Sequence, residues 1–308
     1  MESFYNHNND GLVIRPTMVE RRNLWRLLEM ARDEDLGSGD LTGALLAGDV
    51  RAEARFVPRQ NMVTSGVEML EPIAAAYSGD IRTEVLIRDG IRAEKAQTLA
   101  IWTGSARAIL AAERVALNFL QRLSGVATLT RQYVDAIAGT GAAIYDTRKT
   151  IPGWRDLAKY AVRCGGGRNH RKGLFDAVLI KDNHLAIMAR AEGMDPIRAT
   201  ARELERLRPH LGGYSFIMME VETLDQLAEA LKLDVDIIML DNMRPEQMRQ
   251  AVVMRREAGK ERRIEFEASG GITLATVREV ATTGVERISV GAITHSAESV
   301  DIGLDIDI

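Results

Sequence analysis

Nine of the chain's 40 lysines and arginines fall between Asp146 and His184 with only four acids beside them, a local balance of +5. The remaining 31 basic and 40 acidic residues leave the rest of the chain at −9. The stretch, DTRKTIPGWRDLAKYAVRCGGGRNHRKGLFDAVLIKDNH, also holds a glycine triplet, two of the five histidines and the only cysteine. Cations clustered between low-dielectric walls concentrate their field, so the chemistry indicated is the binding of a small, multiply charged anion. Lys159 and Arg163, on a predicted helix, read as a solvated face. The cations that end strands read differently: AAIY leads into Asp146-Thr147-Arg148-Lys149 and AVLI leads into Lys181, with Asn169-His170-Arg171 between them. Residues that follow a buried strand in an α/β domain stand at its carboxyl end, where ligands bind.

Acids end strands as well. Glu220 and Glu222 flank Val221 and so lie on one side of an extended segment, and Asp241 follows the run DIIML. Carboxylates at the ends of different strands can hold Mg²⁺ or polarise hydroxyls. The last two apolar runs are followed by Ser269-Gly270-Gly271 and by Gly291-Ala292, turns of the kind whose bare N–H groups cradle phosphate. Glu220 and His295 are secondary candidates. His184 reads equally as a structural residue holding the LIKDNH turn.

The elements that must position these groups fall into two kinds. A chain of 308 residues, 46% hydrophobic and 27% charged, is an ordinary soluble composition able to bury a large core. The net charge of −4, with no basic stripe outside the one stretch, excludes a general nucleic-acid binder. No apolar run reaches membrane-spanning length, and the opening residues lack the apolar core of a secretory signal. One cysteine, Cys164, excludes an internal disulfide and fits a reducing, cytoplasmic setting. No Cys/His cluster has zinc-ligand spacing.

Residues 1–15 read as a loose leader. A helix follows Pro16, short strands fall at 51–65, 81–86 and 98–103, and a helix lies over 66–77, together a small α+β layer. A strong apolar face runs from Ser105 to Leu123, Ser124-Gly125 breaks the pattern, and a second helix extends to about Ala138. By composition Arg114 is an ion-pair partner on that helix surface. From Ala142 short apolar runs recur at 142–145, 177–180, 214–219, 235–240, 264–268 and 287–290, with helix-like stretches at 186–209, 223–232, 244–258 and 273–283. Such alternation means parallel strands with crossover helices, and hence a barrel, complete or open. The predicted division is residues 1–128 and 129–296. The tail DIGLDIDI, within 297–308, alternates as a strand returning to the first sheet would.

The chain resembles the quinolinate phosphoribosyltransferase family from about Leu24 onward. The motifs are EDLGSGDLT (34–42), ERVALNFLQRLSGVAT (113–128), DTRKTIPGWR (146–155), GGGRNHR (165–171), LIKDNH (179–184), EVET (220–223), LDN (240–242), EASGGI (267–272) and SVGAITHS (289–296). The resemblance implies an N-terminal α/β sandwich and a C-terminal open, incomplete α/β barrel. It also implies transfer of a phosphoribosyl group from phosphoribosyl pyrophosphate (PRPP) to quinolinate with loss of CO₂, giving nicotinate mononucleotide for NAD biosynthesis. The inventory of cations, acids and backbone donors suits that chemistry. On the resemblance, Arg148, His170, Arg171 and Lys181 hold the quinolinate carboxylates, and Arg114 reaches the acceptor from a neighbouring subunit, making the active unit a homodimer or larger. Lys149 lies near the pyrophosphate, Glu222 and Asp241 near the ribose and Mg²⁺, and Ser269, Gly270 and Gly291 in the phosphate loops; no organic cofactor is implied. Trp154 departs from the family pattern, which has a smaller apolar residue there. The alternatives are a same-fold transferase with another acidic acceptor, a barrel lyase forming a Schiff base at Lys149 or Lys181, and a non-catalytic phosphate-ligand binder.

Overall fold

The computed structural model describes residues 14–46, 50–193, 195–210 and 212–308, so most of the leader lies outside the described residues. The helices are α1 (Met18–Leu36), α2 (Leu70–Tyr77), α3 (Ala106–Ala136), α4 (Arg155–Cys164), α5 (Asp182–Glu192), α6 (Pro196–Leu207), α7 (Leu224–Ala230), α8 (Pro245–Glu257), α9 (Val277–Ala281) and α10 (Ala292–His295). The strands are β1 (Arg51–Pro58), β2 (Met62–Val63), β3 (Arg82–Val85), β4 (Arg92–Ala93), β5 (Ala100–Ser105), β6 (Ala143–Tyr145), β7 (Val178–Ile180), β8 (Ile217–Val221), β9 (Ile237–Asp241), β10 (Glu265–Ser269), β11 (Arg287–Ser289) and β12 (Ile302–Asp307). They form two compact units. One comprises the described residues up to Arg131 with Lys149–Gly167 and Ala292–Ile308; the other comprises Gln132–Arg148 and Arg168–Gly291.

The first unit is built on an antiparallel sheet in the order β12-β1-β5-β3. Alternation along β1 buries Ala52, Ala54 and Phe56, and Phe56 meets Trp102 of β5 edge to face at 4.8 Å. The period-2 tail is β12, paired with β1 from Pro58↔Ile302 to Glu53↔Asp307. Thr17 and Glu20 close a capping box that starts α1. Glu20 then receives the guanidinium of Arg163 at 2.6 Å, tying α4 to α1.

Helix α3 differs from the sequence reading. It runs unbroken through Ser124-Gly125, where a break was expected. Both small residues are there for close approach. The buried Ser124 hydroxyl accepts from the Ser65 N–H at 3.0 Å and donates to the Ser65 carbonyl at 3.1 Å. A Cβ at Gly125 would lie 2.0 Å from the Glu298 carbonyl oxygen. Packing thus outweighs the helix cost of one glycine, about 1 kcal/mol.

The second unit is a six-stranded parallel sheet in the order β6-β11-β10-β9-β8-β7. Its two edges are strands consecutive in the chain, so it is an α/β barrel left open between β6 and β7. The free edge of β6 is taken by one residue of the GGGRNHR segment: Arg168 N–H donates to the Ile144 carbonyl at 2.8 Å, and Asp146 N–H to the Arg168 carbonyl at 3.0 Å. The six apolar runs of the sequence are these six strands. The stretch 186–209 is two helices rather than one, because Gly193 turns left-handed (φ 61°) and Asp195 caps α6 ahead of Pro196. The last predicted helix, 273–283, shortens to Val277–Ala281.

Candidate active site

Register decides which side chains share a level in the open barrel. Continuing the β7–β8 pairing by one residue sets Lys181 beside Glu220; Glu220 pairs Met239, Met239 pairs Glu267, and Glu267 pairs Arg287. Two residues further towards the carboxyl ends, Asp241 pairs Ser269 and Ser289 pairs Tyr145, with Glu222 following Val221 beside Asp241. Packing around and below that level includes an apolar cluster of Ala177, Phe216, Met218, Ile237 and Met239. Asp241, Glu222 and Ser269 thus stand at the carboxyl-end levels of one barrel, where ligands bind in such folds.

Lys181 and Glu220 form an ion pair at 2.6 Å. Arg171 is buried, and its Nη1 donates to the Ala177 carbonyl at 3.3 Å. Burial first, and the charge of Arg148 second, push the Arg171 pKa below the ordinary arginine value, while Asp176 works the other way. Two guanidinium groups thus stand close enough to repel, an arrangement that a bound dianion relieves. Asp176 also organises the intervening turn by accepting the Lys172 and Gly173 N–H groups at 2.7 and 3.0 Å.

Three residues not singled out in the sequence hold this cluster in place. Buried Asp146, directly after β6, accepts from the His170 N–H at 2.8 Å and from Asn169 Nδ2 at 2.7 Å. Glu267, wholly buried in β10, accepts from Arg287 Nε at 2.8 Å and lies 3.3 Å from His170 Nε2. Burial opposes the charge of Glu267, but His170 and Arg287 together outweigh it and hold the carboxyl below its usual value. The signal was present as two glutamates, 265 and 267, inside an apolar run; which strand faces them depends on register.

The turn after β10 needs its first glycine. Gly270 has φ 95°, and a Cβ there would lie 2.1 Å from Asn242 Oδ1. Asn242 itself sits at φ 52°; its N–H donates to the Ser269 carbonyl at 2.9 Å and its Nδ2 to Asp241 Oδ2 at 2.7 Å. Ser269, Gly270 and Asp241 are therefore one connected corner. Glu222 is exposed, with its N–H donating to Gln226 Oε1 at 2.7 Å. Gly291 follows Val290, whose N–H donates to the Tyr145 carbonyl. His184 Nδ1 accepts from the Lys181 N–H at 3.1 Å, so this histidine holds the turn after β7.

Arg114, Lys149 and His295 belong to the first unit. Arg114 is exposed on α3 and forms no ion pair among the described residues, unlike the helix-surface reading. Lys149 is exposed, and its carbonyl accepts from Thr294 Oγ1 at 2.7 Å; His295 Nδ1 faces Ser296 Oγ at 2.6 Å. Trp154 stacks on Phe119 with centroids 5.0 Å apart, so the larger side chain is absorbed into α3 packing. Gly165 and Gly167 pack where Cβ atoms would strike Thr130 and Val162. Cys164 is buried, and burial, reinforced by Asp89, pushes its thiol above the usual range, away from the reactive thiolate.

The chain matches the family models for the quinolinate phosphoribosyl transferase N-terminal domain over residues 40–124 and C-terminal domain over residues 126–305. It is 40% identical to the nicotinate-nucleotide pyrophosphorylase [carboxylating] of Mycobacterium leprae, covering 91% of this chain and 95% of that protein. It is 38% identical to the probable nicotinate-nucleotide pyrophosphorylase [carboxylating] of Bacillus subtilis, over 89% and 90% of the two chains. The solved nicotinate-nucleotide pyrophosphorylase of Francisella tularensis superposes with a TM-score of 0.84 at 35% identity, covering 97% of this chain and all of that one.

Proposed function

Because the chain belongs to the quinolinate phosphoribosyltransferase family, we infer that it transfers the phosphoribosyl group of PRPP to quinolinate, releasing pyrophosphate and CO₂ and forming nicotinate mononucleotide for NAD biosynthesis. The observation that carries this reading is buried Arg171, with the charge of Arg148 acting on it, in the unit that holds the open barrel. Planar guanidinium groups bind carboxylates bidentately, and quinolinate offers two carboxylates on adjacent ring carbons.

Arg148, Arg171 and Lys181 hold the acceptor, with His170 beside them, and turn its ring nitrogen towards the ribosyl carbon. As the bond from that carbon to pyrophosphate breaks, positive charge develops there and the nitrogen lone pair takes its place. The protein's contribution is positioning and fixed charge. Ser269, Gly270 and Gly291 offer the phosphate cradle, and Lys149 faces the leaving pyrophosphate. N-ribosylation leaves a pyridinium, which accepts the electron pair of the ring-to-carboxylate bond as CO₂ departs; a proton then replaces it. Glu222 and Asp241, oxygen donors on neighbouring strand ends, fit Mg²⁺ that is shared with a phosphorylated substrate, since the described residues contain no cluster of three or more His, Cys, Asp or Glu able to cage a metal alone. Mg²⁺ bound there would neutralise charge developing on the pyrophosphate.

Arg114, exposed and without an ion pair among the described residues, supports a homodimer in which it serves the neighbouring subunit. Mixing inactive Arg114→Ala and Lys149→Ala proteins is expected to restore activity; no recovery despite demonstrated subunit exchange contradicts the shared site. No helix among the described residues is long and apolar enough to cross a membrane, and the single buried cysteine suits a cytoplasmic enzyme. The ion pair of Lys181 with Glu220 weakens a Schiff-base reading, which calls for a lysine in an apolar or wholly cationic pocket. Offered PRPP with either quinolinate or nicotinate, the protein is expected to consume only quinolinate; turnover of nicotinate alone overturns the acceptor assignment.

A further inference from the structure

Glu267 occupies the middle of β10 with no exposed surface. A buried carboxylate is tolerated only when it is paired or hydrogen-bonded, and each oxygen of Glu267 faces a nitrogen. Oε2 accepts from Arg287 Nε at 2.8 Å, and Oε1 lies 3.3 Å from His170 Nε2. Arg287 is itself clamped, 3.8 Å from the centroid of the Tyr145 ring and 3.4 Å from Glu265. The His170 ring stands edge-on to Phe216 at 5.4 Å, and its Nδ1 accepts the Arg171 N–H at 2.7 Å. A ring nitrogen that accepts a backbone N–H carries no proton, so the ring proton lies on Nε2, facing the carboxylate. Exchanging the two nitrogens would set N–H against N–H and a lone pair against a carboxylate. Two bonds thus have a fixed direction, Arg287 donating to Glu267 and Arg171 to His170, and the His170 Nε2 proton faces Glu267 Oε1 at 3.3 Å without closing a hydrogen bond.

We propose that Glu267 is a positioning residue of the acceptor pocket. It fixes the tautomer and ring plane of His170 and, through Nδ1, the backbone that carries buried Arg171. The proposal rests on the acceptor reading above. It differs from a role in which Glu267 merely neutralises Arg287, and Glu267→Gln separates the two. The Gln oxygen can still face Arg287, but its amide N–H₂ then faces His170 Nε2, which must give up its proton to Nδ1 against the Arg171 N–H.

The test is ¹⁵N-histidine NMR of the full chain, with the His170 signals assigned by their loss in His170→Asn, alongside steady-state kinetics. Wild-type protein is expected to show unprotonated Nδ1 and protonated Nε2. In Glu267→Gln the proton appears on Nδ1 and the quinolinate KM rises about tenfold or more, as when the outer partner of a ligand-holding histidine is lost, while the PRPP KM is unchanged. A wild-type ring protonated at Nδ1 overturns the proposal even if the variant does not fold. A folded Glu267→Gln that keeps either the tautomer or the quinolinate KM also overturns it. Wild-type protein that makes no product from quinolinate instead defeats the acceptor reading, and the pocket role with it; the ring results defeat the positioning assignment while that reading stands.

Discussion

Asp89 in the first unit and Glu267 in the second are buried carboxylates treated in opposite ways. In the first unit Asp89 accepts from the Gly66 and Val67 N–H groups at 3.0 and 2.9 Å and from the Tyr160 hydroxyl at 2.7 Å. All three donors are neutral, and burial wins: the carboxyl is pushed above its usual value. In the second unit Glu267 faces the Arg287 guanidinium and the His170 ring, and together they prevail over burial. Asp89 pins a left-handed turn at Gly66 (φ 100°) to α4 and serves packing. Glu267 anchors cations below the barrel mouth and serves the site. Burial alone does not determine what an internal acid does; the charge of its donors does.

The largest effect that separates the units is on activity. Arg171→Ala is expected to lower kcat/KM for quinolinate on the order of a hundredfold or more, the usual cost of a positioned charged donor; a change of only a few tenths in log units would dissolve the distinction. Asp89→Asn, which keeps the shape but loses acceptor capacity, is expected to destabilise by about 1–3 kcal/mol in urea unfolding and to leave the quinolinate KM unchanged. A shifted KM would give Asp89 a share in the site.

The same pair responds oppositely to pH. The unfolded carboxyls titrate near about 3.9 for Asp and 4.3 for Glu. With its folded value raised, Asp89 contributes stability that is complete below the unfolded value and lost as pH rises through the folded one. With its folded value lowered, Glu267 contributes stability above the unfolded value that is lost as pH falls through the folded one. Urea midpoints across this acid range should show the gap between wild type and Asp89→Asn narrowing as pH rises, and the gap to Glu267→Gln narrowing as pH falls. Parallel slopes would contradict the comparison. At the small end, Arg206→Ala breaks a surface pair with Glu203 on α6 and is expected to change neither midpoint nor activity.

The barrel was legible because parallel strands buried on both faces read as apolar runs, and the chain order of those runs is the order of β6–β11. The charged ends of those strands were legible for the same reason. Side-chain partnership was not. That Lys181 meets Glu220, or that Glu267 meets Arg287, follows from register between segments some 20 to 40 residues apart, which no local pattern encodes. The continuity of α3 was hidden because Ser124-Gly125 reads locally as a breaker, whereas Ser65 and Glu298 demand small residues there. Asp146 was passed over as part of a basic run, although its carboxylate organises the segment that carries His170 and Arg171.

The most direct test of the central claim uses quinolinate labelled in its 2-carboxylate, incubated with the purified protein, Mg²⁺ and PRPP. The account predicts one labelled CO₂ for each nicotinate mononucleotide formed, and none without PRPP. Release of pyrophosphate with the label retained in the product, or no product at all while PRPP binds, would contradict it.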